Sequence, residues 1–294
     1  MKVIKAVIPC AGFGTRFLPI TKVVPKEILP IIDTPTLEYI IDEVVEAGIT
    51  EILLVVSKEK LEVIKKLVNG NEDLNKFLLS VNKEKEYKLA NKERPAKISF
   101  TIQEKMDGNG RAILCAKEFA KGEPVAILFG DDIMRKVGDK NVTQQLVEVY
   151  EKTGKSVVGC QKTNEAVARR CGVMRVSKKV DDRTWDIHGI EEKPKGELPS
   201  DLVSLGRFVL DNEIFAEIEK QKPSPESGEV YLTDAISGLA EKGKVVAYDF
   251  VGKRYDIGNK LGFLEATIDF ALADELYRDD LIKHIKGLNL NGKN

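Results

Sequence analysis

Histidine is almost missing from this chain, with His188 and His284 the only two. A Ser-His-Asp triad or a multi-histidine metal centre therefore has almost nothing to be built from. Cysteine is scarce too. Cys10, Cys115, Cys160 and Cys171 form no Cys-x-x-Cys pair and sit mostly in apolar segments, which suits buried thiols of a reducing compartment and argues against disulfides, redox motifs or zinc. Long apolar runs are absent. The longest buried-looking stretches resemble Val125 to Phe129, far short of the roughly 20 residues a membrane span requires. Excess charge is lacking as well: 46 Lys+Arg stand against 47 Asp+Glu, a net charge of -1, which gives neither a basic nucleic-acid surface nor a polybasic membrane anchor. Trp185, the only tryptophan, lies in a polar stretch and reads as a partly covered surface anchor, and His284 reads as solvated. The expectation is a cytoplasmic chain, without nucleic-acid or membrane partners, whose ligands are held by local clusters of charge.

What is present is globular. With 43% hydrophobic and 32% charged residues, 294 residues suffice for a large α/β core. Val3 to Pro9 reads as a short strand, and a glycine-bearing loop, Cys10 to Lys22, follows it. Thr36 to Gly48 carries Leu37, Ile40, Ile41, Val44 and Val45 at helical spacing, and the β-branched run Ile49 to Ser57 completes a βαβ unit. Strands at Pro124 to Phe129 and Ser156 to Gln161 alternate with helical patterns at Arg111 to Ala120 and Val142 to Thr153. A doubly wound, mostly parallel sheet is expected. Alternation over Val173 to Val180, Ile187 to Glu191 and Leu202 to Leu210 predicts a smaller antiparallel region. Lys83 to Arg94, dominated by charge, reads as a solvated surface loop. Leu261 to Leu288 reads as one or two amphipathic helices, whose Leu264, Phe270 and Leu272 suit self-association.

Three clusters carry chemistry. Ala11-Gly12-Phe13-Gly14-Thr15-Arg16, with Lys22 and Pro25-Lys26-Glu27 behind it, offers close backbone approach and N–H donors to phosphate, plus cations to balance it. Phe17 stands where the dinucleotide fingerprint needs its third glycine, and the loop lacks the Gly-Lys-Ser/Thr end of a P-loop. A tight turn without a ligand is the plain alternative. Gly130-Asp131-Asp132 ends an apolar strand, where carboxylates face the ligand crevice of an α/β sheet and suit Mg2+ bridged to phosphates. Capping or turn aspartates are the alternative there. Asp256, in Arg254-Tyr255-Asp256-Ile257-Gly258, is placed to join Asp131. Glu191-Glu192-Lys193-Pro194 pairs an acceptor for sugar hydroxyls with a cation for phosphate, or is simply a charged turn.

Together these residues resemble the bacterial UTP-glucose-1-phosphate uridylyltransferases of the sugar nucleotidyltransferase family. The most specific match is ungapped: Ala11 through Lys22, then Pro25-Lys-Glu-Ile-Leu-Pro-Ile-Ile-Asp-Thr-Pro35. Similarity continues through Gln103, Gly108 to Ala112, Gly130-Asp131, Gly172-Val173, Glu192-Lys193-Pro194, Gly206-Arg207, Glu229, Leu232 to Ala235 and Tyr255 to Gly258, so it reaches about residue 270. Two positions depart. Gly108-Asn109-Gly110-Arg111 stands where members commonly carry Gly-Leu-Gly-His, and Cys171 where they carry Tyr.

The resemblance implies a Rossmann-like sheet and a single nucleotidyltransferase domain over 1–294: 1–160 mainly for nucleotide, 161–260 mainly for sugar phosphate, 261–294 as C-terminal helices. It implies that Ala11, Gly12, Gly14 and Thr15 bind the nucleotide with Arg16 and Lys26 activating its phosphates. Gln103 and Gly108 would read the base, Asp131 and Asp256 would hold Mg2+, and Gly172, Glu192 and Lys193 would receive glucose 1-phosphate. UTP and glucose 1-phosphate are the implied substrates, and a dimer or tetramer the expected assembly. This chemistry accounts for the missing histidines, because a sugar phosphate is already anionic near neutral pH and needs no base to attack a triphosphate. A thymidylyltransferase, another sugar nucleotidyltransferase and a non-catalytic regulatory paralogue are the competing readings, with a nicotinamide oxidoreductase more distant.

Overall fold

The computed structural model describes residues 1–288. Successive side chains of a strand point to opposite faces, and the first strand shows how that builds the layers. β1 (Lys5–Pro9) sends Ala6 and Ile8 into one core and Val7 into another, all three fully buried. The short hairpin β2 (Pro30–Ile31) and β3 (Thr34–Pro35) leads to α1 (Thr36–Glu46) and β4 (Glu51–Val56). Helices α2 (Lys58–Asn69), α3 (Glu72–Ser80) and α4 (Glu84–Ala90) precede β5 (Lys97–Ile102); α5 (Asn109–Leu114) and α6 (Lys117–Ala120) precede β6 (Val125–Leu128) and β7 (Asp132–Lys136). The second half runs α7 (Val142–Thr153), β8 (Ser156–Lys162), α8 (Glu165–Ala168), β9 (Gly172–Lys179), β10 (Thr184–Glu192) and β11 (Leu202–Leu210). It closes with α9 (Glu213–Lys220), α10 (Leu232–Ala240), β12 (Val245–Asp249), β13 (Gly252–Asp256), α11 (Lys260–Ala273) and α12 (Arg278–Gly287).

Nine strands form one mixed sheet in the order β5-β4-β1-β6-β11-β8-β12-β10-β9. Pairing is parallel across β5-β4-β1-β6 and between β8 and β12. It is antiparallel where β11 enters between β6 and β8, and where β10 pairs with β9 and β12. The mostly parallel expectation thus describes the N-terminal half. The turn between β9 and β10, residues 180–183, is too short for the crossover a parallel pair needs. Leu37, Ile40 and Ile41 of α1, Ile64 of α2 and Leu146 of α7 cover one face. Ile113 of α5, Ile214 and Phe215 of α9 and Ile236 of α10 cover the other.

Three local readings need correction. Lys83 to Arg94 contains helix α4 rather than an open loop, because Glu, Lys, Leu and Ala favour helix. Asn91 just beyond it exchanges amide hydrogen bonds of 2.9 and 2.7 Å with Asn75 of α3. α11 has no single apolar stripe: Leu261, Leu264 and Ile268 are exposed, while Phe270 packs edge-on against Tyr39 and Tyr255. The pattern at Arg111 to Ala120 is two short helices, with Cys115 and Ala116 between them. Among the described residues no helix is long and apolar enough to cross a membrane.

One ionic knot in the core bears on the site. Arg207, 1% exposed, donates to both oxygens of buried Glu43 at 2.7–3.1 Å and to the Asp132 carbonyl at 2.8 Å, thereby holding the loop that follows β6. Breaking a buried pair strands the remaining charge. Arg207→Met is expected to lower unfolding stability by about 3–5 kcal/mol, measured by urea denaturation; a loss within about 1 kcal/mol of zero would show that Glu43 needs no partner.

Candidate active site

β1 ends at Pro9, and the chain turns outward into Cys10 to Gly14 before a short 3-10 turn, Thr15–Phe17. Gly14 takes φ 66°, and a Cβ there would lie 3.3 Å from the Lys26 Cβ, so this left-handed glycine lets the loop lie directly against the lysine-bearing turn. That turn, Lys26–Ile28, is fastened by the Thr36 hydroxyl at the start of α1, which donates to the Lys26 and Glu27 carbonyls at 3.3 and 3.1 Å. Lys26 reaches Asp131 at 3.2 Å, and exposed Arg16 lies 3.9 Å from the same carboxylate. Three of the residues singled out by sequence therefore meet at one point. Lys22 is exposed and does not line the cavity described below.

Burial would raise the Asp131 carboxyl, but the charge and hydrogen bond of Lys26, with Arg16 beyond, hold it below its usual range. Burial likewise would lower Lys26, yet Asp131 and Glu27 outweigh it and keep the ammonium above its usual value. Both groups are thus firmly charged at neutral pH. Asp132 behaves differently: burial, with Asp131 adding to it, pushes its carboxyl up to about 6 despite Arg254 at 2.6 Å.

Asp256 arrives from the small sheet, where β13 pairs with β7 and sets Asp256 opposite Asp132. Its Oδ1 accepts from the Gly258 amide at 3.0 Å. A Cβ on Gly258 would lie 3.0 Å from Asp131 Oδ2 and 3.1 Å from Asp256 Oδ1, so these two oxygens are no more than about 6 Å apart. The glycine keeps the gap between the carboxylates open.

Beside them opens a cavity of about 260 Å³, lined by Ala11, Gly12, Gln103, Gly108, Asp131 and Glu229 among others. Gln103 Nε2 donates to the Gly108 carbonyl at 3.3 Å, and a Cβ on Gly108, at φ 113°, would strike the Val230 carbonyl at 2.4 Å. Glycine is obligatory there. Asn109, one of the two departures, does structural work: its Oδ1 accepts from the Leu232 amide at 2.8 Å, capping α10 from a distance. Thr15 is exposed and does not line the cavity.

The third cluster assembles where β10 ends against the start of β9. Glu192 pairs in register with Gly172, and a Cβ on Gly172 would sit 3.2 Å from Glu192 Oε2. Lys193, at φ 46°, donates its amide to the Cys171 carbonyl at 3.0 Å and leaves its side chain largely exposed. Burial, with the Asp234 charge adding to it and Lys193 opposing, raises the Glu192 carboxyl. Burial also raises the Cys171 thiol, which feels Arg254, Asp132, Glu192 and Asp256 together. Cys171, the second departure, therefore lies within electrostatic reach of both Glu192 and Asp256.

Sequence reasoning gave no role to two members of this neighbourhood. Glu229 lines the cavity, although in the sequence only its family similarity marks it. Lys60 lies under the loop, hydrogen bonded to the Cys10 carbonyl at 2.9 Å and to the buried Glu27 at 2.9 Å. Its signal was available: Lys60 occupies the same stripe of α2 as buried Ile64, a position where a lysine needs a reason.

Comparison with known proteins places the chain in a family. A family model described as nucleotidyl transferase matches residues 5–271. A UTP-glucose-1-phosphate uridylyltransferase 2 of Staphylococcus saprophyticus is 43% identical over 296 residues, covering 99% of each chain. A UTP-glucose-1-phosphate uridylyltransferase of Bacillus subtilis is 43% identical over 288 residues, 98% of this chain and 97% of that one. Among solved structures, a UTP-bound UGPase from Acinetobacter baumannii superposes with TM-score 0.89 at 30% identity, over 98% of this chain and all of that one. A UDP-glucose pyrophosphorylase complexed with UDP-glucose gives TM-score 0.80 at 30% identity, over 92% and 100%. Matched along nearly its whole length, the chain belongs to the nucleotidyl transferase family, within the group of UTP-glucose-1-phosphate uridylyltransferases.

Proposed function

We propose that this chain joins UTP and glucose 1-phosphate to give UDP-glucose and pyrophosphate. The observation that carries the reading is the convergence of Lys26, Arg16 and two facing carboxylates beside an open cavity of about 260 Å³. The full-length similarity to uridylyltransferases supports UTP over other nucleotides. An anionic oxygen of the sugar phosphate attacks the α-phosphorus, a new P–O bond forms, and the bond to the bridging oxygen breaks with its electron pair leaving on pyrophosphate. No proton must be removed. The difficulty is bringing two anions together, and the residues answer it with fixed positive charge.

In this reading Ala11, Gly12, Gly14 and Thr15 receive the triphosphate, Arg16 and Lys26 neutralise it, and Gln103 and Gly108 read the uracil edge. Gly172 and Glu192 seat the sugar, with Lys193 on its phosphate. Ala11 to Gly14 follow β1 and Gln103 follows β5 in the parallel part of the sheet, and the carboxyl ends of strands are where Rossmann-like sheets take ligands, which supports this assignment. Residues 1–160 then serve mainly nucleotide and 161–260 mainly sugar phosphate, while the exposed apolar residues of α11 support a homo-oligomer. Asp131 and Asp256 offer two hard oxygen donors, and among the described residues no group of three or more such ligands occurs. A pair of this kind fits Mg2+, which takes its remaining ligands from water and phosphate. Mg2+ held there supplies charge neutralisation for the phosphate oxygens.

The test is pyrophosphate release from purified protein with Mg2+, offering UTP or dTTP and glucose 1-phosphate or galactose 1-phosphate. UTP with glucose 1-phosphate should lead; UTP binding without pyrophosphate from any pair would favour the regulatory reading. A second prediction concerns the sugar side. Glu192→Gln is expected to raise KM for glucose 1-phosphate roughly tenfold while leaving KM for UTP near wild type. Because burial raises the Glu192 carboxyl, wild type gains protons there as pH falls and comes to resemble the glutamine variant. The KM ratio between the two should therefore shrink toward acid pH; a ratio independent of pH would remove Glu192 from sugar recognition.

A further inference from the structure

In the buried pair beneath the nucleotide loop, Glu27 enters the reaction as described only through its charge on Lys26, and Lys60 has no role in it. Glu27 is fully buried and Lys60 8% exposed, an arrangement costly to desolvate and therefore in need of a purpose. Lys60 Nζ divides its donors among the Glu27 carboxylate at 2.9 and 3.2 Å, the Cys10 carbonyl at 2.9 Å and the Gly12 carbonyl. Two carbonyls of one loop thus converge on a single ammonium from the opposite element, α2. In a planar trans peptide the C=O and the following N–H point in opposite directions. Drawing the Cys10 and Gly12 carbonyls inward therefore turns the Ala11 and Phe13 amide hydrogens away from Lys60. Ala11 and Gly12 both line the cavity.

We propose that Lys60, with Glu27 as its counter-charge, is a positioning residue that fixes the peptide orientation of the Cys10 to Gly12 loop and so aims the Ala11 and Phe13 amides at the nucleotide. The inference rests on the nucleotide reading given above. It assigns Lys60 no contact with UTP. Its work is to preorganise donors whose disorder would otherwise be lost on binding. Gly130 adds to the packing: a Cβ there would lie 3.1 Å from the Pro9 carbonyl and 3.8 Å from Cys10 Sγ and from Glu27 Cγ, so loop, strand end and acid are in close contact.

The experiment compares wild type, Lys60→Met, Lys60→Arg and the double variant Glu27→Gln/Lys60→Met, measuring Mg·UTP affinity by calorimetry, KM and kcat for each substrate, and thermal stability. Lys60→Met strands the Glu27 carboxylate and should lose both stability and UTP affinity. The double variant leaves no unpaired charge and should recover most of the thermal stability, yet still bind UTP roughly tenfold or more weakly, with KM for glucose 1-phosphate near wild type. Lys60→Arg, which keeps a charged donor, should restore part of the affinity. If the double variant is stable and binds UTP as wild type does, the pair is merely structural and the proposal falls. If the double variant weakens both substrates equally, the proposed orientation of the amides is also wrong. Failure of wild type itself to bind UTP would instead refute the underlying nucleotide reading, and this inference with it.

Discussion

Lys26→Ala is expected to lower kcat by about a hundredfold or more, with a much smaller change in the affinity for glucose 1-phosphate. The ammonium sits 3.2 Å from Asp131 and is held charged by it and by Glu27, so its position and charge exist before substrate arrives. That is the condition under which an electrostatic group acts most strongly on a transition state, since no reorganisation is needed when charge develops. The turn that carries it is secured by Thr36 and braced by the left-handed Gly14. Loss of the side chain should therefore not displace the backbone. Steady-state kinetics of pyrophosphate release read the effect. Turnover within a few-fold of wild type would take Lys26 out of the mechanism.

Asp131→Asn should cost still more, on the order of a hundred- to a thousandfold in kcat/KM. The substitution is nearly isosteric, but it removes one of two facing carboxylates and also the counter-charge that both Lys26 and Arg16 approach. A purely structural aspartate would betray itself as lost thermal stability with activity recovering at low temperature. Here the reverse is expected: a folded protein with little activity at any Mg2+ concentration. Asp132→Asn is the contrasting variant. Asp132 faces Arg254 and the Gly206 backbone rather than the gap, so its loss should show mainly in stability.

Much of this site was legible because its chemistry lies at strand ends, where short motifs coincide with places the fold leaves open. Gly12 and Gly14 follow β1, Asp131 follows β6, and Glu192-Lys193 closes β10. Each could be read from an apolar run meeting a polar or glycine-rich break. The boundaries of α7 were likewise fixed by its own pattern, with Asn141 and Gln144 forming a capping box at its start. What escaped reading depended on partners distant in the chain. The meeting of Asp256 with Asp131 was expected from its motif, but the ribbon that carries it there was not: β13 pairs with β7 over five residues without a hydrophobic signature of their own. The entry of β11 between β6 and β8 is decided by sheet completion, not by local propensity. The α2 stripe marked Lys60 as unusual, but its partners required knowing that α2 packs beneath the Cys10 loop, and Phe270 required knowing that α11 turns its two phenylalanines inward while leaving leucines outside.

In the mechanism proposed for this site the sugar phosphate itself is the nucleophile, and no side chain forms a bond to phosphorus. Exchange of radiolabelled pyrophosphate into UTP, followed with and without glucose 1-phosphate, tests this most directly. Exchange should depend on the presence of the sugar phosphate, because only then does a reversible transfer exist. Exchange in its absence would reveal a uridylylated protein side chain, and with it a protein nucleophile in place of the direct attack proposed.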